Sequence, residues 1–260
     1  MVIIRFFFFI VILASSPAFS ADNLLNNHIT GKQNKKVKEV KKKTVEELLK
    51  EIKSNPKNIV AHRNLGIEYV KEKDFYKAIS EFSEIIQIDS NHLESYYFLG
   101  NLYKKTNHRD MAIWGFKEVL RLKPEDANVH YELVTLYLEK GFINEAIKQY
   151  KKIVEIMPDD PNVHYSLGVI YAKNSMKFLN DELEEAQSSW FVDYSNLAIE
   201  QFKKTIEIKP DHANAHFNLG VSYMYMNWSD LAKKVHADLK NLDSELAEKL
   251  NKMIKDNSGK

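Results

Sequence analysis

A period of 34 residues constrains this chain more than any other feature. Gly66 and Gly100 stand one period apart, and Val134 and Gly168 fall on the next two steps. Tyr69, Tyr103, Tyr137 and Tyr171 keep the same spacing, as do Ala78, Ala112 and Ala146. A repeat of this length is one supersecondary unit that cannot bury its apolar face alone, so neighbouring copies must stack over a shared core. The 260 residues, 44% of them hydrophobic, suffice for one large domain or for an array, and the period selects the array.

The second repeat gives the register. Tyr96-x2-Leu99-Gly100-x2-Tyr103 is followed by Ala112-x3-Phe116 and then by Pro124. Leu99 and Tyr103 lie on one face of a first helix, Gly100 lets a neighbouring helix come close, and Pro124 ends the second helix. This pattern resembles the tetratricopeptide (TPR) repeat, a helix-turn-helix unit. The resemblance implies an all-α fold: a right-handed TPR superhelix, or α-solenoid, of about five repeats with terminal capping helices. The repeats are expected at 59–92, 93–126, 127–160, 161–212 and 213–242. A half-repeat at 44–58 and a helix at 243–255 are expected to close the ends. Thr44 and Glu47 have capping-box spacing, and Asp243 is placed to cap the last helix.

The fourth repeat is longer than the others. From the small residue of the first helix to the alanine of the second is 12 residues elsewhere, but Gly168 to Ala198 is 30. The added sequence, about 176–193, is expected to be helical. Met176, Leu179, Leu183, Ala186 and Trp190 continue one stripe. That spacing predicts a lengthened first helix, a turn near 188–191, and a second helix capped by Asp193 or Ser195.

Before the repeats, Arg5 and the apolar run Phe6 to Ala14 precede small residues at Ala18 and Ser20, the layout of a secretory signal over residues 1–20. The run is shorter than the ~20 residues that span a bilayer. The expectation is a periplasmic or secreted protein of bacterial type, the alternative being an amino-terminal anchor that is not cleaved. Residues 21–43 are expected to be a disordered linker. Between Lys32 and Lys43 it holds seven lysines and one glutamate, so it is either a contact to an anionic membrane surface or a solvated tether. The body carries a small net negative charge, which argues against nucleic acid.

Residue chemistry excludes much else. There is no cysteine, so disulfides, thiolate metal sites and cysteine catalysis are ruled out. Four of the nine histidines, His62, His130, His164 and His216, share one repeat position, which points to ring packing between helices. Adjacent repeats hold such rings about a helix diameter apart, ~10 Å, too far to share a zinc. No phosphate loop or nucleophile elbow occurs, and neither an enzyme, a cofactor nor a metal is expected.

What the resemblance implies about partners is a protein or peptide bound in the concave face of the first helices. Two positions of each first helix would point there. One reads Arg63, Tyr97, Tyr131, Tyr165 and Phe217, the other Val60, Glu94, Asn128, Asn162 and Asn214. Amides both donate and accept, which suits a peptide backbone, while rings supply apolar area. The same residues would also serve as half-buried packing. A second class of reading is an envelope-assembly or polysaccharide-export component. It would contact a partner through Trp190, Phe191 and Tyr194 of the inserted hairpin, or hold a glycan in the groove. The sequence leaves the oligomeric state open.

Overall fold

The computed structural model describes residues 43–180 and 185–258. The expected signal at 1–20 and the lysine-rich segment, apart from Lys43, lie outside the described residues, as do the side chains of Leu179, Leu183 and Ala186. Among the described residues there are twelve α-helices and no strand. They fall into two compact units divided between Leu136 and Tyr137.

The amino-terminal unit comprises α1 (Val45–Ser54), α2 (Ile59–Lys71), α3 (Phe75–Ile88), α4 (Leu93–Lys105), α5 (Arg109–Leu122) and most of α6 (Ala127–Glu139). Each helix from α1 to α5 packs on its sequence neighbour. A capping box starts α1: Thr44 Oγ1 accepts from Glu47 N at 3.2 Å, and Thr44 N donates to Glu47 Oε2 at 2.8 Å. Leu48 projects from α1 into the core of the first repeat, where it joins Leu65, Phe82 and Ile85. The core stays tight because glycine faces a ring. A β-carbon on Gly66 would stand 2.9 Å from Phe82, and one on Gly100 would stand 2.9 Å from Phe116.

The carboxy-terminal unit holds the end of α6 and then α7 (Ile143–Ile156), α8 (Pro161–Asn180), α9 (Glu185–Ile208), α10 (Ala213–Tyr225), α11 (Ser229–Leu239) and α12 (Ser244–Ser258). Gly168 faces Phe202 as Gly100 faces Phe116. The fifth repeat has His236 where the others have the ring, and Leu250 of α12 fills the space against Gly220 instead. The terminal helix therefore completes a core that its own repeat leaves open.

The inserted sequence differs from expectation. The two described helices are Pro161–Asn180 and Glu185–Ile208, so Ser188, Phe191, Asp193 and Ser195 are all helical rather than turn or cap. No glycine or proline interrupts 185–198, and Ser195 is buried in line with Ala198, Ile199 and Phe202, so the second helix extends backward. The arms have 20 and 24 residues, against 13 and 14 in the first repeat. They run on by ~10 and ~15 Å at 1.5 Å per residue.

Two positional rules recur along the chain. The turn inside a repeat places Lys73, Asn107, Gly141 and Asn227 at φ between 57° and 76°, each fifteenth in its repeat. Ser175 occupies that place in the fourth repeat and remains helical, which is how the first arm continues. The buried histidines obey the second rule. Nε2 of His62, His130, His164 and His216 donates to the carbonyl six residues earlier, that of Pro56, Pro124, Pro158 and Pro210, at 2.9–3.0 Å. In the second repeat Tyr96 Oη donates to Ser90 O at 3.0 Å. A ring at this position therefore pins the turn between repeats as well as filling space.

Candidate partner-binding site

In the amino-terminal unit the first helices α2, α4 and α6 carry Arg63, Tyr97, Asn128 and Tyr131. Arg63 is committed within the protein: Nε and Nη2 donate to Glu94 Oε2 and Oε1 at 2.8 and 2.7 Å. This bidentate pair raises the pKa of the guanidinium further. Lys104 donates to Glu132 at 2.5 Å, again joining the first helices of successive repeats. The face is thus crossed by ionic rungs whose charges cancel. Tyr97 is half-buried, edge-on to Phe116 at 6.1 Å, and burial pushes its phenol pKa up, with Glu132 and Asp126 adding to the rise. Tyr131 is half-buried and Asn128 exposed.

In the carboxy-terminal unit Asn162, Tyr165, Asn214 and Phe217 take the equivalent positions on α8 and α10. Tyr165 is 8% exposed, its hydroxyl accepts from Asn218 Nδ2 at 3.2 Å, and its ring lies 4.7 Å from that of His212. Here the ring is a packing element. Burial raises the Tyr165 pKa and lowers that of His212, whose Nδ1 accepts from Ala215 N and caps α10. Asn162 is exposed, with Nδ2 donating to Asp160 Oδ1 at 3.0 Å, while Asn214 is exposed and Phe217 half-buried. The structure brings Asn218 to Tyr165, a contact that groove spacing alone does not reveal.

The inserted hairpin presents Trp190, Phe191 and Tyr194 differently from one another. Trp190 is 53% exposed and stacks on Tyr194 at 6.1 Å between centroids. Phe191 is half-buried. Tyr194 turns toward the body, donating to Asn144 Oδ1 at 3.4 Å and lying 6.1 Å from Tyr171. The Tyr171 phenol pKa is pushed up to about 12, first by burial and then by Tyr194 and Glu200. Among the described residues, no group of three or more His, Asp or Glu is placed to hold a metal ion.

The tetratricopeptide repeat model matches residues 93–126, and a TPR repeat model matches 135–175. The chain carries tetratricopeptide repeats. Its fold class is an all-α TPR solenoid. Among solved structures it is similar to YrrB, described as a TPR protein with an unusual peptide-binding site. That match has a TM-score of 0.55 and 22% identity over 80% of this chain and 100% of that one. It is also similar to MamA, with a TM-score of 0.53 and 21% identity over 73% of this chain and 94% of that one. At these identities the likeness establishes the TPR fold alone. The sequences of curated proteins give no match.

Proposed function

We propose that this TPR protein is an exported, non-enzymatic interaction scaffold that holds an extended peptide segment across α2, α4 and α6 of its amino-terminal unit. The observation that carries the reading is the internal cancellation of charge on that face. Arg63 is held by Glu94 and Lys104 by Glu132, which leaves exposed Asn128 and Val60 with the half-buried rings Tyr97 and Tyr131 on that face. An amide serves any peptide backbone, and rings supply apolar area, so the expected ligand is extended and neutral or mildly basic. A ligand recognised by its carboxylates would need free cations, and Arg63 is already paired. Export rests on the apolar run Phe6 to Ala14 and the small residues after it. Amino-terminal sequencing of the native protein tests it, with a start near Phe19 or Ala21 expected and a start at Met1 or Val2 in membranes against it.

The direct test of the binding reading is selection from a displayed library of unstructured peptides, followed by mapping of the selected peptide by amide chemical shifts. Shifts centred on Asn128, Tyr131 and Tyr97 support it. Shifts confined to other surfaces, or no selected binder, sink it.

A further inference from the structure

A cleft of about 450 Å³ lies inside the carboxy-terminal unit, between the base of the inserted hairpin and the start of α7. This is the size of a small-ligand site. Trp190 and Tyr194, four apart on α9, form one wall, and Phe142, 46% exposed, stands in the lining beside them. Asn174 and Lys177, three apart on α8, share another face. Asn144 and Glu145 line the cleft from the first turn of α7, which no side chain caps.

Asn174 is the feature that packing does not explain. Its side chain lines the cleft, the residue is 6% exposed, and no described residue donates to its amide or accepts from it. Its amide atoms are not sealed from solvent, so they open onto the cleft and can pair with what enters it. The chemistry of the other groups narrows what that is. Lys177 and Glu145 are of opposite charge in one small site, so an anion meets Glu145 and a cation meets Lys177, and neither gains a net attraction. The two amides donate and accept at once, as hydroxyl groups do. An exposed indole stacked on a phenol offers a flat apolar platform. A ligand with a flat C–H face and a rim of hydroxyls matches all three features.

We propose that this cleft binds a neutral saccharide, one sugar ring lying on Trp190 with its hydroxyls held by Asn174, Asn144, Glu145 and Lys177. The site is separate from the peptide face of the amino-terminal unit, and it stands or falls independently of that reading. A W114F/W228F protein retains Trp190 as its single indole reporter. It is titrated to about 10 mM, weaker than most specific sites, with cellobiose, maltose and N,N′-diacetylchitobiose. Glucuronic acid, glucosamine and a neutral tripeptide are the comparison probes. A saturable change in Trp190 fluorescence with at least one neutral disaccharide is expected. Its affinity should fall at least tenfold in the surface variant Asn144→Ala and in Asn174→Leu, with the thermal midpoint of Asn144→Ala unchanged. Trp190→Ala, followed by calorimetry, should abolish binding. Failure of all three disaccharides to saturate overturns the proposal. So does a preference for the charged sugars or the tripeptide, or binding that survives Asn144→Ala and Trp190→Ala.

Discussion

Replacing Gly115 with alanine tests how closely the two helices of the second repeat approach. A β-carbon there would lie 2.9 Å from Gly100 N, 3.0 Å from Gly100 Cα and 3.1 Å from Tyr96 O. Carbon contacts are comfortable at ~3.5–4.0 Å, so α4 and α5 must part by roughly 0.5–1 Å. The obstacle is backbone, which cannot swing aside as the Phe116 ring can at Gly100. Overpacking of this kind costs ~1–3 kcal/mol. Alanine's better helix propensity returns ~0.8–1 kcal/mol. The net expectation is a loss of ~0–2 kcal/mol, below the ~3–5 kcal/mol of truncating the fully buried Phe116 to alanine. Trp114, in the same unit and edge-on to Tyr96, is a local reporter once Trp190 and Trp228 are replaced by phenylalanine. Urea unfolding followed by its fluorescence gives the difference directly. A variant more stable than the parent would show that only helix propensity operates and that α4 and α5 have room to spare, which refutes the close approach.

Two further outcomes follow from single residues. Lys73 sits at φ 62°, a left-handed conformation that costs a side-chain-bearing residue ~1 kcal/mol or more, so Lys73→Gly should raise stability by ~0.5–1 kcal/mol in urea unfolding, and a loss would contradict it. His212 titrates below its ordinary value because it is buried, so below pH ~6.5 the unfolded chain takes up the proton first and stability falls as pH drops toward the folded value. His212→Ser keeps a capping oxygen and should flatten that decline as pH falls below ~6.5. His236 shifts in the same direction, so some slope should remain, but identical slopes in both proteins would remove His212 from the account.

The repeat architecture was legible because its signals are local and recur. The 34-residue step in glycine, tyrosine and alanine fixed which residues share a core, and the structure seats Leu65, Leu99, Phe82 and Phe116 there. The role of the four histidines was half legible. Their shared position implied packing, yet each also stands six residues after a proline, a count that would have exposed the Nε2 bond to its carbonyl. The turn of the hairpin is not legible in the sequence, because an apolar stripe over 176–190 fits one long helix as well as two shorter ones, and periodicity alone does not mark where a chain reverses. Register alone assigns Tyr165 to the groove. Its burial depends on Asn218 and His212, about fifty residues away in sequence, and no local pattern carries that. Asn174 gave no signal either, since an asparagine in a helix is unremarkable until its neighbours are known.

The most direct test of the scaffold account is the affinity of a library-selected peptide for the protein and for its Asn128→Ala variant, measured by titration calorimetry beside the melting temperature. Asn128 is exposed, so the account predicts an unchanged melting temperature. It predicts an affinity weakened roughly three- to tenfold, the worth of one lost hydrogen bond. An unchanged affinity would contradict the central claim that the first-helix face of the amino-terminal unit holds the peptide.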